Sequence, residues 1–160
     1  KVKNMKRLYS IKDFKWYTLF KQVLYDLELH DKNYLWLISD IEAYPTKEKY
    51  QELLWNNEYL LLTTGELVNM LEEDDFQWIW AVFSAIPNMY EKEDILKFNL
   101  PYIENIEEGQ YNPHMDEPKL QHPYADFEIY AVDSSYMFII TDDSEIISKF
   151  QKKYPRCTEE

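Results

Sequence analysis

The sequence predicts an α+β domain: a mixed sheet of about five strands with helices packed on it, closing on a C-terminal β-hairpin followed by a helix. Three observations carry that reading. Apolar segments of helical period alternate with short apolar runs of strand length along most of the chain. Only two glycines occur in 160 residues, Gly65 and Gly109, too few for the tight turns of a β-sandwich. Hydrophobic residues make up 46 % of the chain, which supports a packed core at this length and excludes a disordered segment.

The elements follow in order. Trp16 to Leu29 reads as an amphipathic helix, because Leu19, Phe20, Val23, Leu24 and Leu27 recur at helical spacing. Tyr34 to Ile38 is a continuous apolar run, a buried strand that ends near Asp40 to Ala43. Pro45 and Thr46 open a helix through about Trp55, with Thr46 as its N-cap. Asn56-Asn57 is a turn, and Glu58 to Thr63 a second strand. Thr63 and Glu66 have the spacing of a reciprocal capping box, so a helix starts there and stops at Glu72-Glu73-Asp74-Asp75. Phe76 to Phe83, rich in aromatic and β-branched residues, is a central strand ended by Pro87. Lys92 to Phe98 is a short helix. Leu100 to Tyr124 holds Pro101, Pro113, Pro118 and Pro123 and reads as irregular; loops of that length are often functional or mobile. Asp126 to Val132 and Tyr136 to Thr141 form a hairpin across Asp133-Ser134-Ser135. Asp142 to Glu145 begins the last helix, which Pro155 stops. Residues 16–155 are read as one domain, 1–15 as an N-terminal extension and 156–160 as a tail.

Charge narrows the function. The net charge of −13 repels nucleic-acid phosphate and anionic lipid, so neither direct nucleic-acid binding nor membrane binding is expected. Cations cluster only at Lys1, Lys3, Lys6 and Arg7 and at Lys149, Lys152, Lys153 and Arg156. The acidic excess implies solubility or a basic partner. Cys157 is the single cysteine, so no disulfide forms within the chain, which fits a reducing compartment and a cytoplasmic location. No apolar run is long enough to span a bilayer. Lys1 to Tyr9 lacks the apolar core of a signal peptide, and Met5 is a candidate start residue.

No catalytic signature stands out, and no cofactor is expected. His114 and His122 lie near Asp116, Glu117 and Asp126, but they are too far apart in sequence for a ligand pair and have no cysteine nearby. They read as loop residues, with no metal. Asp40, Glu42 and Asp133 sit at strand ends, where carboxylates act as general acids or cap turns. Without a supporting His, Lys or Arg, capping is the reading. Ser134-Ser135 lacks the strand–turn–helix elbow of a serine nucleophile, and Cys157 lies in no inferred pocket. The acidic runs are different. Glu72, Glu73, Asp74 and Asp75 stand at a helix C-terminus, where the dipole disfavours them, and local rules are often broken at functional sites. Glu104, Glu107, Glu108, Asp116 and Glu117, with Tyr102 and Tyr111, add acid and aromatic side chains in the long loop. Together these are the candidate partner-binding residues, charge steering the encounter and aromatics anchoring it.

The segments FQWIWAVFSAIP (Phe76 to Pro87), YLWLISDIEAYP (Tyr34 to Pro45) and the Asp-Ser-Ser hairpin through Pro155 resemble small uncharacterised bacterial proteins encoded beside secreted polymorphic toxins, the immunity proteins. The resemblance covers most of residues 16–155. It implies a small acidic cytoplasmic protein that binds a basic, nuclease-type toxin and occludes it, with no enzymatic activity and no catalytic residue to carry over. Two other readings stand beside it. One is a small hydrolase or ligand-binding protein with a pocket under the 100–125 loop, marked by His114 or His122 paired with a carboxylate. The other is a DNA-mimic regulatory protein. The oligomeric state is left open.

Overall fold

The computed structural model describes residues 4–14 and 18–160. Its described strands form one antiparallel sheet of seven, in the order β3-β2-β4-β5-β6-β1-β7. The strands are β1 (Lys6–Tyr9), β2 (Tyr34–Ala43), β3 (Tyr59–Thr63), β4 (Trp78–Pro87), β5 (Phe127–Val132), β6 (Tyr136–Thr141) and β7 (Thr158–Glu159). The helices are α1 (Phe20–Asp26), α2 (Glu48–Trp55), α3 (Thr64–Glu73), α4 (Lys92–Ile95) and α5 (Ser144–Lys153). No described helix is long and apolar enough to cross a membrane.

The α+β class holds, with two corrections. The sheet has seven strands where about five are predicted, and every pairing is antiparallel where a mixed sheet is predicted. The added strands come from segments read as extension and tail: β1 pairs β6 along Lys6 to Tyr9, and β7 pairs β1 through Leu8 and Tyr9. Both are too short and too charged to show a period, and both form only against strands distant in sequence. The antiparallel order follows from the path of the chain. β3 and β4 both flank β2, so α3 carries the chain across β2 and no parallel neighbours arise.

Local signals set several boundaries. Thr63 and Glu66 form the capping box of α3, with Glu66 N–H donating to Thr63 Oγ1 at 3.1 Å and Thr63 N–H to Glu66 Oε1 at 3.0 Å. Asp143 caps α5 by accepting from Glu145 and Ile146. α4 is shorter than the predicted Lys92 to Phe98. α1 covers the middle of its predicted span, whose first residue, Trp16, lies outside the described residues. α2 departs in its cap: Lys47 occupies the N-cap position, and Thr46 instead donates its hydroxyl to Asp74 at 2.8 Å.

One face of the sheet is covered by α1, α3 and α5. Phe20, Val23 and Leu24, then Leu67, Met70 and Leu71, then Ile146 and Phe150 pack on Trp36, Phe83, Ala85, Phe127 and Ile129. Phe20 stacks on Phe83 with centroids 3.7 Å apart. The other face is covered by residues 88–126, the connection from β4 to β5. Ile95 and Ala125 pack on Leu37 and Ile86, and Ile103 packs with Val82, Tyr130, Val132, Phe138 and Ile140. The long proline-bearing segment is therefore the second layer of the domain. Without it, a sheet apolar on both faces would leave one face in water.

Candidate functional site

The site begins with an irregularity in β2. Its register against β4 shifts between Ser39 and Ala43, so that Glu42 lies opposite Trp80 and Ala43 opposite Trp78. Asp40, at φ 51°, takes the left-handed conformation inside this bulge. A bulge re-aims the side chain at its kink. Here the Asp40 carboxylate accepts from the backbone N–H of Ile103 at 2.8 Å and of Glu104 at 2.6 Å. Ser39 Oγ donates to the Pro101 carbonyl at 2.7 Å. The bulge thus ties the long segment to the end of the sheet, and a groove of about 560 Å3 opens between them.

Among the described residues, the groove is lined by Asp40, Glu42, Tyr44, Trp55, Glu58 and Tyr102, with others, and by no lysine, arginine or histidine. Tyr44 and Trp55 are 58 % and 56 % exposed, which makes them the most exposed aromatic rings among the described residues. They meet edge to face at 6.4 Å. Trp55 is held by its indole N–H, which donates to the Ala43 carbonyl at 2.9 Å, and Tyr44 by a 3.4 Å bond from its hydroxyl to Glu42. Glu104 stands nearby. Burial first, then the charges of Glu42, Asp40 and Asp133 and a hydrogen bond with Glu42, raise its carboxyl above the usual range. The negative charges of the bulge and of the β5–β6 hairpin are thus felt at Glu104 on the long segment, with Glu42 in hydrogen-bond reach of it. A raised carboxyl among like charges is one that a cation would relieve.

The groove wall is braced from beneath. Gln121 donates its side-chain N–H to the Tyr102 carbonyl at 2.7 Å and accepts from the Tyr102 N–H at 3.1 Å. The Gln121 backbone N–H donates to Glu128 at 2.6 Å. Glu128 is fully buried on β5. Its carboxylate also accepts from Ser84 Oγ at 2.6 Å, Tyr130 Oη at 3.1 Å and the His122 N–H at 3.2 Å. Burial raises its carboxyl, against the pull of these four donors.

The histidines are part of the same fastening. His122 is fully buried. Tyr124 N–H donates to its Nδ1 at 3.1 Å, so Nε2 carries the proton and donates to the Ile95 carbonyl at 2.9 Å. His114 Nδ1 bonds the Tyr136 hydroxyl at 2.7 Å. Burial lowers both imidazoles. No group of three or more His, Cys, Asp or Glu side chains among the described residues converges to hold a metal ion. Arg7, read as part of a cationic end, is buried; it donates to the carbonyls of Pro113 and Asp116 and to Glu160.

The predicted partner-binding residues fall into two groups on opposite faces of the sheet. In the acidic run that ends α3, Glu72 pairs with Lys21 at 3.3 Å and Tyr25, and Glu73 with Lys49 at 2.5 Å and Tyr50. Asp74 is buried and accepts from Thr46 N–H, Thr46 Oγ1 and Lys47 N–H at 2.8–2.9 Å, tethering the start of α2. Asp75 is exposed. The dipole penalty at this helix end is therefore met within the chain. In the long segment, Tyr102 and Glu104 reach the groove region, whereas Glu107, Glu108 and Glu117 are exposed along its length. Tyr111 braces the segment, its hydroxyl donating to the Lys119 carbonyl and accepting from the Lys119 N–H. Asp116 accepts from Asn112 N–H at 2.7 Å. Tyr44, Trp55 and Glu58 are not among the residues that the sequence marks for partner binding, and Asp40, Glu42 and Asp133 read there as isolated caps. The aromatic pair Tyr44 and Trp55 flanking a predicted helix was the available signal; nothing local tied it to Glu104.

No family model, no curated protein and no solved structure matches the chain.

Proposed function

We propose that this is a non-enzymatic, acidic protein-binding domain that occludes a basic partner, in the manner of an immunity protein seated on a toxin. The observation that carries the reading is the groove at the β2 bulge, where exposed Tyr44 and Trp55 stand beside Asp40, Glu42 and Glu58 with no cation among the described residues of the lining. A lysine or arginine side chain entering there gains ring-face attraction and carboxylate pairing together. The net charge of −13 steers such a partner in and makes association depend on salt. Glu107, Glu108 and Glu117 extend the field along the same layer.

The test is affinity capture from a lysate of the source organism at low and moderately high salt, followed by titration of the retained protein. Wild type is expected to hold a basic protein and release it as salt rises. The double variant Glu42→Gln/Trp55→Ala is expected to bind it at least about tenfold more weakly, since hot-spot aromatic and charged contacts are each worth more than about 1 kcal/mol. Equal affinity of wild type and variant would remove the groove from the reading.

A further inference from the structure

Strand β3 is an edge of the sheet, and the ladder shows which way its backbone points. Asp126 N–H donates to the Ala85 carbonyl on the β5 side of β4. Backbone groups in a strand alternate sides, so Ser84 and Ile86 bond toward β2, through Leu37 and Leu35. Trp36 and Ile38 then bond toward β3, through Leu62 and Leu60. That leaves the N–H and C=O of Tyr59 and Leu61 directed away from the sheet. Thr63 agrees independently: its N–H, on the same side, is taken by Glu66.

Among the described residues, β3 holds no charged residue, proline or bulge within the strand itself. Natural edges carry charge, proline, a bulge or very short length. The opposite edge, β7, is two residues long. β3 reads Tyr-Leu-Leu-Leu-Thr, with Leu61 and Leu62 only partly buried. Its ends are acidic, with Glu58 before it and Glu66 after it, and Glu58 also lines the groove.

We infer that β3 receives an extended basic segment of the partner as an added antiparallel or parallel strand, whose end delivers a lysine or arginine to the groove at Glu42 and Glu58. This rests on the reading of the groove as a site for a basic partner. Charge selects the occupant. Two copies of β3 paired with each other would bring Glu58 and Glu66 of both chains together, each chain carrying a net charge of −13, and like charges oppose such pairing. An alternating basic and apolar segment meets the same edge with opposite charge and covers Leu61 and Leu62.

The test uses 15N-labelled protein and a short peptide alternating lysine and valine, with a twin N-methylated on alternate residues. The peptide is expected to slow exchange of the Tyr59 and Leu61 amides at least about tenfold and to shift the Trp55 indole signal. The twin is expected to protect neither amide, and Leu61→Pro to weaken peptide binding at least about tenfold. Should that variant fold poorly, the twin makes the same test on unaltered protein. A Trp55 shift with unprotected Tyr59 and Leu61 amides would overturn the strand inference and leave the groove reading standing. No response at either place would overturn both. A dimeric mass with Leu61 protected in the absence of peptide would make the occupant a second copy and overturn the basic-segment assignment.

Discussion

Replacing Glu128 tests whether the second layer is fastened as described. In Glu128→Ala the backbone N–H groups of Gln121 and His122 lose their acceptor in a site closed to water. The hydroxyls of Ser84 and Tyr130 are able to turn, but the two backbone donors are not. An unsatisfied buried donor costs about 1–3 kcal/mol, and the vacated side-chain volume adds to that, so the loss is about 3–5 kcal/mol. That is a large share of the roughly 5–15 kcal/mol that holds a domain folded. Urea unfolding followed by tryptophan fluorescence reads the loss as a lower midpoint at unchanged slope. Amide exchange should quicken at Gln121 and His122 and at Tyr102, which Gln121 holds from both sides. Glu128→Gln keeps the volume and one acceptor oxygen and loses less. It also reports on charge. Burial raises the Glu128 carboxyl in the fold, so the wild-type contribution from this group is fullest below the ordinary glutamate range and declines as pH rises through the raised value. The glutamine variant lacks that slope. A loss below about 1 kcal/mol in Glu128→Ala, or unchanged exchange at Gln121 and His122, would refute the fastening.

Three further outcomes are expected. His122 is held neutral, its pKa lowered by burial from the ordinary 6.5; the unfolded chain takes up the proton first as pH falls, so the stability this group contributes is present above about pH 6.5 and shrinks below it. His122→Gln should flatten that fall in a series of urea midpoints between neutral and mildly acid pH. Asp74→Ala removes the acceptor of three bonds at the start of α2 and should lower stability by about 1–3 kcal/mol, with faster amide exchange at Thr46 and Lys47. In the β5–β6 hairpin, Asp133 and Ser134 have φ of 44° and 59°, a conformation that glycine adopts without strain; Ser134→Gly should raise the thermal midpoint, by a gain of about 0.5–1 kcal/mol, and a lower midpoint would refute the strain at that turn.

What the sequence determined by itself is what neighbours along the chain decide. The capping box of Thr63 and Glu66 and the hairpin across Asp133 to Ser135 were readable because both partners of each contact lie within a few residues. Period marked the strands that pack between layers, since Trp36, Phe83 and Ile129 are buried whatever lies beyond them. The tertiary structure decided everything that joins distant segments. β1 and β7 exist only as partners of other strands. The segment from 100 to 126 carries no helical or strand period, because its side chains meet the sheet at irregular intervals and its backbone bonds go to side chains such as Asp40, Gln121 and Glu128. The candidate site is the same case. Asp40, Glu42, Glu104 and Asp133 stand on three separate parts of the chain, and each alone is a plausible cap. Only the bulge in β2, which turns Asp40 onto the long segment, sets Asp40 and Glu42 in the groove and brings Glu104 within reach of Glu42. No local propensity encodes that, because the energy that holds it comes from contacts between residues more than sixty positions apart.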